Sequence, residues 1–301
     1  MPYQTNKTYC LAFGQFCQSN GQGKALASSV PNSGVYASFS GLTDSYELRG
    51  ASANSVKVYF NNTWTEATLG NFAVNVDVHK SLDLAEKNIR STSTIGYWMS
   101  LVKEMRSDLD SAGNNNDLLV YATSLGGMSA RATVDAYDLS VDTGEHYRYT
   151  MQGFINQILK NPDITNPYPI MLWRQGESDN EDISETEVEY NKWLSENRAL
   201  FGYDVPVVII PPLWSRTDII ALQNKIISEN NHVISGFGAD LDDFQAETVS
   251  QHNATGVGTT IDPSDSATFT IDGLHFNYAV LIQDGIIAAP ALESLGSGYA
   301  Y

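Results

Sequence analysis

Short β-rich apolar runs alternate along this chain with segments whose apolar residues recur at helical spacing. Parallel strands need long crossover connections, so this alternation is typical of a mostly parallel sheet covered by helices on both faces. We therefore predict an α/β fold, a three-layer α/β/α sandwich with a mostly parallel central sheet. The predicted strands are 9–16, 118–123, 170–173, 207–210 and 233–237, and the helical patterns lie within 95–105, 147–158, 184–200 and 219–227.

The domain organisation follows from the length and from the absence of dividing segments. A chain of 301 residues suits one large domain or two smaller ones. No internal repeat, low-complexity tract or Pro-rich linker separates two halves, so we expect a single domain over 1–301. The segment near 55–68 predicts an inserted β-hairpin. The segment near 240–270 is rich in Asp, Thr, Ser and Gly and predicts a long loop, and loops of this length are usually functional or mobile.

The charge balance excludes several classes of partner. The chain has 17 Lys and Arg against 35 Asp and Glu, a formal net charge of −18, so nucleic acid is not expected as a partner. We find no apolar run of membrane-spanning length and no signal peptide, and expect no membrane contact. The abundance of uncharged polar residues favours an extracellular or virion-associated protein over a cytoplasmic one.

Cysteine and histidine usage indicates neither disulfides nor a metal site. Cys10 and Cys17 lie in one apolar stretch that predicts a strand followed by a turn, where seven residues of extended chain hold them too far apart to pair, so we expect two free, buried thiols. The histidines show no metal-ligand spacing. The sequence therefore predicts no metal and no cofactor.

Candidate functional residues follow the predicted strands, because ligands of open α/β sheets gather at the carboxyl ends of the strands. Ser19 follows the first strand on a Gly-rich turn that is similar to a nucleophile elbow, although it could also be a simple N-cap hydroxyl. Gly126 and Gly127 follow the second strand, where their N–H groups could approach an oxyanion or merely form a turn.

Two further segments supply charged and polar groups. Arg174, Gln175 and Glu177 come directly after an apolar run, where a dense polar set favours function over a solvated loop. Asp272 and His275 are three residues apart, close enough for the carboxylate to hold one ring nitrogen of the imidazole. Taken together, the four segments contain the parts of an acyl-transfer site.

The order of these motifs resembles the sialate O-acetylesterase branch of the SGNH hydrolases, over roughly 9–290. The stretch from Trp173 to Ser178 is the most specific part of the resemblance. The resemblance implies a flavodoxin-like sheet and a serine esterase that removes acetyl groups from a sugar or polysaccharide. It further implies Ser19 as nucleophile, His275 as general base and Asp272 as the carboxylate that orients it.

Other roles are implied in the same way. Glu177 is expected to hold its neighbour Gln175 in place, and Arg174 and Trp214 are candidate substrate contacts. Cys17 departs from the family pattern, which usually has Gly at that position. The implied oxyanion donors are the backbone N–H of Ser19, the N–H of Gly126 or Gly127, and the side-chain amide of Gln175.

Two other functions stay open at this point. One is an SGNH lipase or thioesterase, which would need an apolar channel for its acyl chain. The other is a catalytically inactive glycan-binding or virion adhesion module, which an intact Ser19, Asp272 and His275 would argue against. The oligomeric state, the sugar and the acetylated position are not determined by the sequence.

Overall fold

The computed structural model describes residues 3–17, 25–39, 56–60, 63–66, 94–122, 155–179, 182–212 and 214–296. Within these ranges strands and helices alternate, as the sequence predicts. The strands are β1 (Thr8–Cys17), β2 (Ala25–Leu26), β3 (Val56–Phe60), β4 (Thr63–Glu66), β5 (Thr94–Ile95), β6 (Leu118–Ala122), β7 (Pro167–Arg174), β8 (Val207–Ile209) and β9 (Val233–Ser235). The α-helices are α1 (Tyr97–Ser111), α2 (Ile183–Phe201), α3 (Thr217–Glu229), α4 (Leu241–Thr255) and α5 (Tyr278–Gly296).

The main sheet has the strand order β4-β3-β6-β1-β7-β8-β9. Every neighbouring pair in it is parallel except β3 and β4, which form an antiparallel hairpin at one edge. The hairpin predicted near 55–68 is therefore confirmed. From β6 to β9 the order matches the flavodoxin-like arrangement of doubly wound sheets. The predicted α/β fold with a mostly parallel sheet is confirmed.

Two separate apolar clusters show that helices cover both faces of the sheet. Successive side chains of a strand point to opposite faces, and in β1 this sends Tyr9 and Leu11 into one cluster and Cys10 and Ala12 into the other. The first cluster contains apolar residues of α1 and α5, and the second contains those of α2 and α3. The sheet is thus the middle of three layers.

The cysteine prediction holds for the residue whose side chain is described. Cys10 is a free, buried thiol in the middle of β1, and Cys17 is the last residue of the same strand. Burial raises the pKa of the Cys10 thiol, because a thiolate would lose its hydration there. Cys10 is therefore an inert part of the core.

The long loop predicted near 240–270 is wrong over its first half, which forms α4 (Leu241–Thr255). The Asp240 carboxylate caps this helix by accepting hydrogen bonds from the backbone N–H groups of Asp242 and Asp243. Gly256 ends it with a left-handed φ of 63°. The helix was hidden in the sequence because its buried face includes polar residues. That face consists of Leu241, Phe244, Thr248 and His252.

The expectation that no segment could span a membrane is also corrected. The stretch Tyr278–Leu295 within α5 is long and apolar enough to do so by composition, but 67% of it is buried inside the protein. It packs against α1 and carries the buried Asp284. A buried carboxylate and protein neighbours are what a core helix has, so this finding is weak support for a membrane span.

Candidate functional site

The pairing of β1 with β7 brings together the strand ends that precede two of the four candidate segments. β1 and β7 pair in parallel, and their last residues, Cys17 and Arg174, stand opposite each other in the ladder. The register shifts between Phe13 and Phe16, where β1 has an irregularity. Ser19 comes two residues after Cys17 in the sequence. The predicted nucleophile Ser19 and the predicted oxyanion donors Gly126 and Gly127 lie outside the described residues.

Asp272 and His275 form the hydrogen-bonded pair that their spacing predicts. The His275 Nδ1 atom lies 2.6 Å from the Asp272 Oδ2 atom. The other carboxylate oxygen, Oδ1, accepts the backbone N–H groups of Leu274 at 3.0 Å and of His275 at 2.8 Å. Gly273 makes the tight turn with a φ of 81°, which an L side chain rarely adopts. The loop therefore presets the carboxylate against the ring.

The charge state of this pair follows from its hydrogen bonds. The hydrogen bond from the His275 ring, with those from two backbone N–H groups, lowers the pKa of Asp272 to about 2. An ionised Asp272 requires a proton on Nδ1, which leaves the lone pair of a neutral His275 ring on Nε2. The His275 side chain is 21% exposed, so a substrate can reach it. Such a ring can act as a general base.

The Asp272–His275 pair, called the dyad below, lies at the carboxyl edge of the sheet, as the contacts of its neighbour Phe276 show. A bridge between Thr270 and Phe276 closes the loop. The Phe276 ring centroid lies 4.7 Å from the guanidinium carbon of Arg174 and 5.6 Å from the ring of Trp214. Arg174 ends β7, and Trp214 follows β8 by five residues. The strand ends and the dyad therefore belong to one region.

The structure places Arg174 in the core, which does not favour the substrate contact predicted for it. Its side chain is fully buried, and its Nη2 atom lies 2.8 Å from the Asp284 Oδ2 atom, which is also fully buried. The other oxygen of Asp284 accepts the Thr248 hydroxyl at 2.8 Å. The guanidinium lies between the rings of Phe276 and Tyr97. Arg174 therefore forms a core ion pair with Asp284, a residue 110 positions away in the sequence.

Gln175 is also fully buried, and a network of side chains holds it. Its Nε2 atom donates to the Asp179 Oδ1 atom at 3.1 Å, and the Tyr190 hydroxyl donates to Oδ2 of the same carboxylate at 2.6 Å. The Gln223 amide donates to the Gln175 backbone carbonyl at 2.7 Å. Asp179 thus holds the Gln175 amide, a task that the sequence assigned to Glu177.

Arg216 holds the turn that follows Gln175, a role that no sequence motif indicates. Its guanidinium donates to the backbone carbonyls of Gly176, Glu177 and Asp179 at 2.8, 3.1 and 2.5 Å. Carbonyl acceptors leave no mark in a sequence, so this role could not be predicted. Asp179 could have been found, because it lies in the same polar run as Gln175.

The turn at Gly176 also depends on the glycine itself. Its φ is 143°, and a Cβ atom there would lie 2.6 Å from the Ile219 Cγ2 atom. No side chain fits this position without a shift of α3. The block from Arg174 to Asp179 is therefore rigid, and the part of it that faces solvent is small.

Trp214 is less open than expected of a surface on which a sugar could stack. It is 6% exposed, and its ring packs against Phe269 at 4.7 Å between centroids. It nevertheless lines a cavity of about 420 Å³ beside α4. Over the described ranges, no three His, Cys, Asp or Glu side chains come together as a set of metal ligands.

A search of protein-family models finds no match to this chain, and none of the curated proteins compared with it matches. The class of this protein is therefore described from its fold and from the geometry of its candidate site. The protein is an α/β sandwich with an aspartate–histidine pair at the carboxyl edge of its parallel sheet.

Proposed function

We propose that this protein is a carbohydrate O-acetylesterase that works by a Ser19, His275 and Asp272 acyl-enzyme mechanism. The observation that carries the proposal is the 2.6 Å hydrogen bond between the His275 Nδ1 atom and the Asp272 carboxylate. It leaves Nε2 as the basic nitrogen of a partly exposed ring. A general base held in this way is what a serine nucleophile requires.

The position of the strands supports Ser19 as the nucleophile. Phe276, next to the base, contacts Arg174, and Arg174 stands opposite Cys17 at the end of β1. Ser19 is two residues further along the chain, and two residues span at most about 7 Å. The described end of β1, two residues before Ser19 in the sequence, therefore lies at the edge of the sheet that carries the dyad, which supports the choice of this serine.

In the proposed reaction, the Ser19 Oγ atom bonds to the ester carbonyl carbon while His275 Nε2 takes the hydroxyl proton. The tetrahedral intermediate collapses when the bond to the sugar oxygen breaks, and that oxygen takes the proton from His275. Water, deprotonated by the same nitrogen, then attacks the acetyl-serine and releases acetate and free Ser19. Asp272 keeps Nδ1 protonated throughout and stabilises the imidazolium.

The oxyanion of each intermediate needs fixed donors, and the resemblance assigns them to the backbone of Ser19, to Gly126 or Gly127, and to Gln175. The Gln175 amide nitrogen carries two hydrogens, of which Asp179 accepts one. Asp179 and Tyr190 would orient this amide without reorganisation during the reaction. Asp179 therefore takes the supporting role that the sequence assigned to Glu177.

One observation favours a second candidate, an ester hydrolase for longer acyl chains. Ile271 and Leu274 flank the dyad and are 52% and 44% exposed. Exposed apolar side chains beside a catalytic pair could hold an acyl chain. Hydrolysis of p-nitrophenyl acetate and octanoate separates the two functions, because a preference for octanoate would favour the second.

The proposal is tested by acetate release across an array of acetylated glycans. We expect the wild-type protein to release acetate and Ser19→Ala to lose at least about 10³-fold in turnover. Ser38→Ala is the matched control, since Ser38 is an exposed residue whose hydroxyl donates to the nearby Val35 carbonyl. Equal activity of Ser19→Ala and wild type would contradict the mechanism. A protein that binds glycans but hydrolyses no ester would instead be an inactive adhesion module.

A further inference from the structure

A cavity of about 420 Å³ lies where the loop after β8 meets α4. Its volume is in the range of small-molecule sites, and it lies past the carboxyl end of β8, where open α/β sheets bind ligands. Neither the proposed triad nor its oxyanion donors belong to it. The described residues that line it are Trp214, Asp242, Gln245, Ala246, Val249 and Pro263.

The lining combines apolar walls with polar groups. Trp214, Ala246, Val249 and Pro263 supply apolar surface, and Asp242 and Gln245 supply an acceptor and an amide. Among the residues that the structure describes, none accepts a hydrogen bond from the buried Trp214 Nε1 and Gln245 Nε2 atoms. Unpaired buried donors are rare because each costs stability. A ligand oxygen within reach of either side chain would give its donor a partner.

A pyranose ring matches this set of groups. One of its faces carries C–H bonds that pack on an indole, and its hydroxyls both donate to carboxylates and accept from N–H groups. A purely apolar ligand would offer the Trp214 and Gln245 donors no acceptor. An aromatic wall with a few polar groups placed around it is therefore better suited to a sugar than to a lipid tail.

The charge of the cavity selects among sugars. Asp242 is the only charged side chain among the described residues that line it. Its carboxylate accepts a hydrogen bond from the neutral Asn224 amide at 3.1 Å, and among the described residues no Lys, Arg or His forms an ion pair with it. The whole chain adds a formal net charge of −18. A sugar that carries a carboxylate would be repelled, whereas a neutral sugar would not.

Trp214 connects the cavity to the dyad, because its ring packs on Phe276, the residue after His275. We infer that this cavity binds a neutral sugar unit of the substrate, next to the acetyl group that is removed. The inference rests on the proposed function for its biological role, and it names the substrate as a neutral glycan rather than a sialic acid.

Direct binding tests the inference without requiring catalysis. Neutral methyl hexosides, including methyl N-acetyl-β-glucosaminide, are titrated against the wild-type protein, with the methyl glycoside of N-acetylneuraminic acid as the acidic comparison. Saturation-transfer NMR and tryptophan fluorescence report the binding. We expect the neutral glycosides to bind at least roughly tenfold more tightly than the acidic one. No binding by any neutral glycoside, or equal binding of the acidic one, would overturn the inference.

Two variants of α4 locate the binding. Ala246→Trp fills the cavity, and Ala254→Trp places the same side chain at another exposed position of the same helix, away from the cavity lining. We expect Ala246→Trp to weaken neutral glycoside binding at least roughly tenfold and Ala254→Trp to leave it unchanged. Equal binding by the two variants would show that the sugar does not bind in this cavity. Asp242→Asn should raise the affinity for the acidic glycoside. An unchanged affinity would refute the inference that the Asp242 charge excludes acidic sugars.

The outcome separates this inference from the proposed function. If acetate is released with the same KM in Ala246→Trp and Ala254→Trp, the esterase stands and the cavity is not its sugar site. If no ester is hydrolysed but Ala246→Trp still abolishes glycoside binding, the cavity stands and the esterase does not. Ser19→Ala should bind the neutral glycosides as the wild type does.

Discussion

Two segments at the same edge of the sheet are held in opposite ways. The block from Arg174 to Asp179 is held by distant partners: Asp284, Gln223 and Arg216 all contact it. The loop from Thr270 to Phe276 is held by its own backbone, with a local bridge and with N–H groups that bind the Asp272 carboxylate. The first segment is almost wholly buried, and the side chains of Asp272 and His275 are 49% and 21% exposed.

This contrast separates side chains that mainly stabilise the fold from side chains that take part in the proposed reaction. A buried charge or amide must have partners, so the first segment became rigid through contacts that reach across the protein. The second segment keeps a titratable ring within reach of solvent, and a short hydrogen-bonded turn is enough to orient it. Removing Arg174 from the first should therefore mainly cost stability, and removing Asp272 from the second should mainly cost activity.

The largest effect is expected from the exposed loop. Asp272→Asn leaves a side chain of the same shape but removes the charge that fixes the Nδ1 proton, so turnover should fall by about 10⁴-fold with little loss of stability. The measurement is acetate release together with urea unfolding. Asp262→Asn is the control, because Asp262 is an exposed carboxylate that accepts a backbone N–H two residues on. Equal loss of activity in the two variants would contradict a specific role for Asp272.

The next effect is expected from the buried block. Arg174→Met leaves Asp284 buried and unpaired, which should lower the free energy of unfolding by about 3–5 kcal/mol. The double variant Arg174→Met with Asp284→Leu removes both charges and should recover most of this loss. Urea unfolding of both variants measures the effect. A single variant that unfolds at the wild-type urea concentration would show that the ion pair does not hold the block.

A matched pair of glycine substitutions gives the smallest effect. Gly176→Ala meets a positive φ and a Cβ atom 2.6 Å from Ile219, whereas Gly273→Ala meets a positive φ with nothing within 4 Å. We expect losses of about 3 kcal/mol for the first and about 1–2 kcal/mol for the second. Urea unfolding compares them. If Gly273→Ala were the more damaging, the exposed loop would be the more constrained of the two.

Features that depend on residues close together in the chain were predicted correctly, whereas features that depend on contacts between distant segments were not. The parallel strands and the hairpin were predicted, because apolar periodicity and turn residues are local. The Asp272 and His275 pair was predicted for the same reason, since three residues of loop determine it. The helix α4 was missed because Thr248 and His252 form part of its buried face and broke the apolar pattern.

What the sequence alone determined about this protein is the class of its fold and the spacing of its aspartate–histidine pair, because both depend on residues close together in the chain. Tertiary structure decided that Arg174 is buried, that Asp179 holds Gln175, and that Trp214 lines a cavity. Each of these depends on a contact with a distant segment. A charge or an amide takes its role from what surrounds it, and only the folded chain determines those surroundings.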